Sequence, residues 1–319
     1  MTSGGSRTKR KWPRRIKVAG LSVISLAAIL AACGCVYNRV ASRRLARELA
    51  ETPRDSATGL VSGIAPLDLN PDANRGVLLL HGFVGSPRDF GELPQRLSER
   101  GLRVRAPVLP GHGTRPTDME GIDAAVLDRA VREEYERLRG ECDKVAVVGF
   151  SMGSDLALRL VRDGAGPPPD ALVLASPHFG VAYRWYAILS PALWARLMRP
   201  FVPYLVKGRT FVMVNRPEAH EDLYAYDVLP TSSVIMLNNV ADDLWEDPPS
   251  FLPGRVLFIY AEDDGAASAR RTRLMADRLG IAASDRVVLT ESNHHVFHDY
   301  EREEAIAATE VFLAGALGP

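Results

Sequence analysis

The chain is poor in cysteine, and its 319 residues contain only three. Cys33 and Cys35 stand together near the N-terminus and Cys142 stands alone, so the cysteines cannot form a disulfide framework. No cysteine or histidine spacing is typical of a metal site. These absences exclude a small disulfide-stapled fold and leave Cys142 as a structural thiol.

Net charge is also absent, because 39 basic residues balance 39 acidic ones, but the two signs are unevenly distributed. Residues 1–32 contain seven basic residues and no acidic residue. The remainder therefore carries a net charge of −7, with 32 basic and 39 acidic residues. An acidic body disfavours nucleic acid as a partner.

The N-terminal basic cluster is followed by an uncharged run over residues 18–38. This layout is typical of a secretion signal. The run contains Leu30-Ala31-Ala32-Cys33, which resembles the lipobox of bacterial lipoproteins, so Cys33 is the predicted lipidation site. The alternative is an uncleaved single span, since about 20 apolar residues cross a bilayer. Both interpretations predict a membrane-anchored protein of the cell envelope.

Residues 1–35 are therefore assigned to this targeting or anchor segment. Residues 36–59 are polar and rich in arginine and glutamate. We interpret them as a tether or a short surface helix that leads to one folded domain over residues 60–319.

Short apolar runs alternate with helical patterns throughout that domain. Continuous apolar runs are typical of parallel strands that are covered on both faces. The alternation predicts an α/β fold with a doubly wound, mostly parallel sheet. The predicted strands are 77–80, 103–109, 145–148, 171–175, 256–260 and 287–289, and the predicted helices are 88–100, 124–138, 154–161, 268–279 and 301–313.

The segment from about 178 to 228 interrupts this alternation. It contains the aromatic residues Trp185, Tyr186, Trp194, Phe201 and Tyr204. A long insertion of this kind is either a lid over a site or a surface for a partner. We favour a lid built from short helices, and we expect residues 229–244 to contain the next helix of the core.

Gly149-Phe150-Ser151-Met152-Gly153 joins a predicted strand to a predicted helix. In that context G-x-S-x-G indicates a tight turn that presents a serine hydroxyl above the edge of the sheet. The helix N-terminus behind it offers N–H groups to a developing oxyanion. We predict Ser151 as the nucleophile and the Met152 amide as one oxyanion donor.

A glycine-rich loop, His81-Gly82-Phe83-Val84-Gly85, follows the first parallel strand. Loops at the carboxyl ends of parallel strands face the ligand crevice. We therefore expect the Phe83 amide to be the second oxyanion donor. His81 itself is interpreted as a structural histidine.

A serine hydroxyl needs a base, and the base needs a group that orients it. In hydrolases with such a turn the acid precedes the histidine along the chain. Three acids at 262–264 follow one predicted strand, and histidines at 294, 295 and 298 follow the next. The order of the segments leaves the choice within each group open.

The chain resembles the carboxylesterase and monoacylglycerol lipase branch of the α/β-hydrolases. The resemblance spans residues 63–313 and rests on residues 78–87, residues 106–113, the serine turn and the two segments that hold the acids and histidines. It implies Asp264 rather than Asp263 as the acid. It also implies His294 as the base, because Ser292-Asn293-His294 is followed by Asp299, five residues after the histidine.

This resemblance implies a serine hydrolase that cleaves small-molecule or lipid-like carboxylic esters through an acyl-enzyme. It implies no metal and no organic cofactor. Lysophospholipase, thioesterase and acyltransferase activities on the same site remain alternatives. A catalytically silent binding protein with this fold is a further alternative from another class.

Overall fold

The computed structural model describes residues 14–164, 166–182, 190–208 and 212–318. Residues 14–31 and residue 191 are described by their secondary structure alone. The start of the predicted targeting segment, residues 1–13, lies outside the described residues. Trp185 and Tyr186 of the predicted lid also lie outside them.

The central feature of the described chain is a seven-stranded sheet with the order β1-β3-β2-β4-β5-β8-β9. Only β1 is antiparallel to its neighbour, and the other pairs are parallel. The strands are β1 (Leu67–Leu69), β2 (Arg75–Leu80), β3 (Arg103–Ala106), β4 (Lys144–Phe150), β5 (Ala171–Ala175), β8 (Val256–Ala261) and β9 (Arg286–Leu289).

Helices cover both faces of this sheet, because successive side chains of a strand point to opposite faces. In β4, Val145 and Val147 belong to one buried cluster, and Ala146 and Val148 belong to the other. The first cluster includes side chains of α3 (Ala124–Glu141), α4 (Met152–Arg162), α7 (Thr231–Glu246) and α8 (Ala269–Arg278), and the second includes those of α2 (Leu93–Glu99) and α9 (Arg302–Leu317).

This architecture confirms the predicted α/β class and the doubly wound, mostly parallel sheet. The prediction missed β1, a three-residue strand at the edge of the sheet whose side chains remain partly exposed. An edge strand of that length gives no continuous apolar run. The second predicted strand is shorter than expected and ends at Ala106.

The insertion after β5 contains α5 (Pro191–Met198), β6 (Tyr204–Val206), α6 (Ala219–Asp222) and β7 (Val228–Pro230). We call its described residues, 190–208 and 212–230, the cap. The expected short helices are present as α5 and α6, but the two-stranded antiparallel sheet formed by β6 and β7 was not expected. The helix expected at 229–244 is α7, which packs on the core.

A long N-terminal helix, α1 (Arg14–Glu51), contacts the cap. The Tyr37 hydroxyl accepts a hydrogen bond from the Val206 N–H at 2.9 Å. Both carboxylate oxygens of Glu48 accept hydrogen bonds, from the Asp227 N–H and the Val228 N–H, each at 3.1 Å. The residues interpreted as a tether are therefore helical as far as Glu51 and attached to the cap, since Glu48 binds the edge of β7.

Among the described residues, no helix is both long enough and apolar enough to cross a membrane.

Replacing Glu48 with alanine leaves two N–H groups at β7 without their acceptor. We expect Glu48→Ala to destabilise the cap by about 1–3 kcal/mol, the cost of unpairing buried polar groups. Hydrogen exchange at the amides of Asp227 and Val228 measures this directly and should accelerate. The control is Glu51→Ala, because Glu51 is exposed and pairs with Arg47 at 3.7 Å. Equal exchange in both variants would show that α1 does not hold the cap.

Candidate active site

Ser151 lies in the sharp turn between β4 and α4. Its backbone dihedrals, φ 53° and ψ −120°, lie in a region that residues other than glycine rarely adopt. The turn is held by hydrogen bonds from the Ser151 N–H to the Ala175 carbonyl, and from the Ser154 N–H to the Ser151 carbonyl, both 2.9 Å long. The backbone therefore fixes the hydroxyl at the carboxyl end of the sheet, as predicted.

Glycines at 149 and 153 permit this turn, because their backbones approach other backbone atoms closely. A Cβ on Gly149 would collide with the Gly153 carbonyl, and a Cβ on Gly153 would collide with the Leu80 carbonyl. A Cβ on Gly82 would lie 3.3 Å from the Cβ of Ser151. The loop after β2 consequently lies directly beside the serine.

Asp264, His294 and Ser151 form one hydrogen-bonded line. His294 Nδ1 lies 2.8 Å from Asp264 Oδ2, and His294 Nε2 lies 2.9 Å from Ser151 Oγ. All three residues are at most 9% exposed. With Nδ1 donating to the carboxylate, Nε2 is free to accept the serine proton. The structure thus brings together Ser151, which the G-x-S-x-G turn predicted, with Asp264 and His294, which the resemblance implied.

Hydrogen bonds to neighbouring residues hold both the acid and the base of this line in place. Asp264 Oδ1 accepts hydrogen bonds from the Ala266 N–H at 2.8 Å and the Ala267 N–H at 2.7 Å. The Ser176 hydroxyl donates to the His294 carbonyl at 2.7 Å. These bonds leave Asp264 Oδ2 and the imidazole oriented toward each other.

Asp299 holds the histidine loop against the cap. One oxygen, Oδ2, accepts from the Asn293 N–H at 2.7 Å and the Asn215 N–H at 2.8 Å. The other, Oδ1, accepts from the Arg216 N–H at 2.9 Å. The resemblance marked this aspartate only as part of a pattern, and its role as a link to the cap could not be read from the sequence.

The two predicted oxyanion donors belong to Met152, which follows Ser151 in the chain, and to Phe83, which lines the same cavity as Ser151. Met152 is the first residue of α4, where helical N–H groups have no intrahelical acceptor. Phe83 lines the cavity beside Ser151, in a loop fixed by the hydrogen bond from the Gly82 N–H to Asp89 Oδ2 at 3.0 Å. Oxyanion binding by these two amides stays a prediction.

A cavity of about 870 Å³ opens at the serine and histidine. Its wall combines loop residues of the core with residues of the cap, and most of the side chains are apolar. The cap contributes Trp194, Ala195, Met198, Leu205, Lys207, Val212, Met213, Leu223, Tyr224 and Ala225. Trp194 thus lies where a lid residue was expected.

Four other histidines are buried in the structure or line the cavity. His81 is buried, and its Nε2 accepts from the Leu109 N–H at 3.0 Å, which confirms a structural role. His298 was expected to flank the site or lie on the surface, but it is buried and contacts the Arg88 carbonyl at 2.7 Å. His178 and His295 both line the cavity. Burial lowers the pKa of His178 to about 4, so that imidazole is neutral.

The described residues contain no group of three or more metal-ligating side chains that could hold an ion. Cys33, the predicted lipidation site, is an exposed residue of α1, and Cys142 is buried. Burial raises the pKa of the Cys142 thiol, in keeping with a structural role.

A model of the alpha/beta hydrolase family matches residues 77–309, from β2 into α9. The chain belongs to the α/β-hydrolase family. That membership accounts for the sheet order, the serine turn and the placement of the acid and the histidine after successive strands.

This α/β-hydrolase is similar in sequence to a thermostable monoacylglycerol lipase of Bacillus sp. (strain H-257), with 40% identity over 87 residues, or 27% of the chain and 35% of that protein. It is also 35% identical to a carboxylesterase of Bacillus subtilis (strain 168) over 88 residues, or 27% of the chain and 36% of that protein. The matched stretches thus span about a third of either relative.

The fold is similar to that of a soluble variant of monoglyceride lipase from Saccharomyces cerevisiae, solved in complex with a substrate analogue. The TM-score is 0.66 at 14% identity, covering 84% of this chain and 91% of the yeast one. At that identity the likeness concerns the fold alone.

The two glycines of α3 and α4 offer a matched test of the close packing at the turn. We expect Gly153→Ala to destabilise the protein by about 3 kcal/mol or more, because backbone must move to admit the methyl group. Gly140→Ala, in α3, meets no atom within 4 Å and should be neutral or stabilising by about 0.5–1 kcal/mol. Urea unfolding of both variants measures the difference, and a well-tolerated Gly153→Ala would contradict the packing described here.

Proposed function

We propose that this α/β-hydrolase is a serine carboxylic ester hydrolase of the carboxylesterase or monoacylglycerol lipase type. The observation that carries the proposal is the line from Asp264 through His294 to Ser151, with distances of 2.8 and 2.9 Å, at the mouth of an apolar cavity. A serine hydroxyl in hydrogen-bond contact with a neutral imidazole is the arrangement that nucleophilic acyl transfer requires.

In the first half of the reaction Ser151 Oγ attacks the ester carbonyl while His294 Nε2 takes its proton. Asp264 holds the imidazole in the required tautomer and stabilises the imidazolium. The tetrahedral intermediate collapses as His294 returns the proton to the leaving alcohol, which leaves an acyl group on Ser151. Water then repeats the sequence and releases the carboxylic acid.

The amides of Phe83 and Met152 stabilise the negative charge on the oxygen of the tetrahedral intermediate. We assign about 3 kcal/mol of transition-state stabilisation to each donor. The position of Met152 supports this assignment, because it is the first residue of α4 and its N–H has no acceptor within the helix.

The substrate class follows from the cavity. Its apolar wall and its volume of about 870 Å³ suit an acyl chain of appreciable length rather than a small polar ester. The similarity to a monoacylglycerol lipase and a carboxylesterase supports the same class.

We further propose that the protein is delivered to the cell envelope and anchored in its membrane by residues 1–35. The basic cluster, the uncharged run over 18–38 and Cys33 support this proposal. The intact mass of protein purified from its native membrane tests it. A chain that begins at Cys33 with added acyl mass indicates a lipoprotein, and a full-length chain in the membrane indicates an uncleaved span. A full-length chain in the soluble fraction would contradict both.

Ser151→Ala removes the nucleophile without disturbing the fold. We expect hydrolysis of p-nitrophenyl and glyceryl esters to fall by about 10⁶-fold, because Ser151 is the hydroxyl that His294 contacts among the described residues. Initial rates over a series of acyl lengths measure this effect and give the chain-length preference of the wild-type protein.

The matched control is Ser284→Ala. Ser284 is an exposed serine in the short 3₁₀ helix that precedes β9. This variant should retain wild-type rates. Turnover by Ser151→Ala comparable to that of the control would refute the proposed nucleophile.

A further inference from the structure

One lysine lines the otherwise apolar cavity. Lys207 follows β6 in the cap, where its N–H donates to the Asp227 carbonyl at 2.7 Å. Its side chain is half-buried and lines the same cavity as Ser151 and His294. Among the described residues, that wall otherwise contains one carboxylic acid, Asp89, one phenol, Tyr224, and three histidines.

The ammonium group of Lys207 has no ion-pair partner in the described part of the chain, where no carboxylate lies within 4.0 Å of it. Asp89 is near enough for the two charges to influence each other, but its Oδ2 accepts the Gly82 N–H. Among the described residues, Asp89 Oδ1 has no hydrogen-bond partner. A charged group that lines a largely apolar cavity without an ion-pair partner is costly for a fold and is characteristic of ligand sites.

The balance of charge in the cavity is positive near neutral pH. Burial raises the pKa of Asp89 to about 7, so its carboxyl is substantially protonated there. Burial lowers the pKa of Lys207 to about 8, which leaves the ammonium mostly charged. Burial lowers the pKa of His178 and His295, so both are neutral. Among the described side chains that line the cavity, Lys207 is therefore the main source of positive charge.

We propose that Lys207 binds an anionic group, a carboxylate or a phosphate, carried by the ester substrate. The inference rests on the proposed ester hydrolysis and narrows its substrate class. An anion beside the ammonium supplies the missing charge partner, while the apolar wall accepts the rest of the molecule. Lys207 is thus a specificity-determining residue that favours charged over neutral esters of equal length.

Two matched pairs of substrates test the proposal and distinguish where the anion lies. One compares p-nitrophenyl hexanoate with the mono-p-nitrophenyl ester of adipic acid, which carries a carboxylate at the far end of the acyl chain. The other compares 1-lauroylglycerol with its 3-phosphate, which carries the anion on the alcohol. The readout is the ratio of kcat/KM for the anionic to the neutral member of each pair.

We expect this ratio to exceed one for at least one pair in the wild-type protein. Lys207→Met should lower that ratio by about tenfold or more, the value of a hydrogen bond to a charged group. Lys207→Arg should retain most of the preference. The matched control is Lys144→Met, since Lys144 donates to the Leu317 carbonyl at 3.2 Å, away from the cavity, and should leave the ratio unchanged.

Two results overturn the proposal. One is a wild-type preference for the neutral member of both pairs. The other is a Lys207→Met variant whose rates fall by the same factor on all four esters, which would indicate that Lys207 only steadies Asp89 and its loop.

Calorimetry on the Ser151→Ala variant, with and without Lys207→Met, measures the binding of 1-lauroylglycerol and its 3-phosphate in the absence of turnover. It therefore separates a failure of this inference from a failure of the proposed hydrolysis. If no ester is turned over, tighter binding of the phosphate that depends on Lys207 still supports the site. Equal binding of the anionic and neutral members, both in this pair and in the pair of p-nitrophenyl esters, overturns it.

Discussion

The backbone turn at Ser151 is the constraint on which the rest of the site depends. A serine with φ of 53° is strained, and the chain holds it there because β4 and α4 are each fixed in the core on either side. Gly149 and Gly153 have no Cβ atom, and a Cβ at either position would collide with backbone of the turn or of β2. The hydroxyl therefore has a fixed position. The Asp264 carboxylate and the His294 imidazole complete the site from loops at the ends of neighbouring strands.

Those groups lie on loops that are fixed by hydrogen bonds to carboxylates and hydroxyls as well as by apolar packing, since Val296 and Phe297 of the histidine loop belong to the core. Asp264 binds two amides of its own loop, and Asp299 binds amides of both the histidine loop and the cap. The cap in turn is bound to α1 through Glu48. A chain of hydrogen bonds thus runs from the N-terminal helix through the cap to the loop that carries His294. The cap residues that line the cavity are therefore held by hydrogen bonds to the same loop that carries the imidazole of His294.

The sequence was most informative where one local pattern determines one local structure. The apolar runs at 145–148 and 171–175 predicted the central strands, and G-x-S-x-G between strand and helix predicted the turn. The choice of Asp264 over Asp263 needed the resemblance, because all three acids at 262–264 follow the same strand. The cap was less predictable, since β6 and β7 are three residues each and pair with each other rather than with the core.

Long-range contacts account for what could not be predicted. The docking of α1 depends on Glu48 meeting a strand edge about 180 residues away, and no local pattern marks that pairing. Lys207 stands in a segment without periodicity, and only the folded chain brings it to the same cavity as Ser151. Charges that act across a cavity are set by tertiary structure, so the sequence can supply their identity but not their position.

The central claim is that Ser151 is the nucleophile and that His294 is the base that activates it. Reaction with a fluorophosphonate, followed by peptide mapping in the mass spectrometer, tests it most directly. The account predicts one adduct, on Ser151, that forms rapidly in the wild-type protein and far more slowly when His294 is replaced by glutamine. An adduct on another residue, or equal labelling of Ser151 without the imidazole, would contradict it.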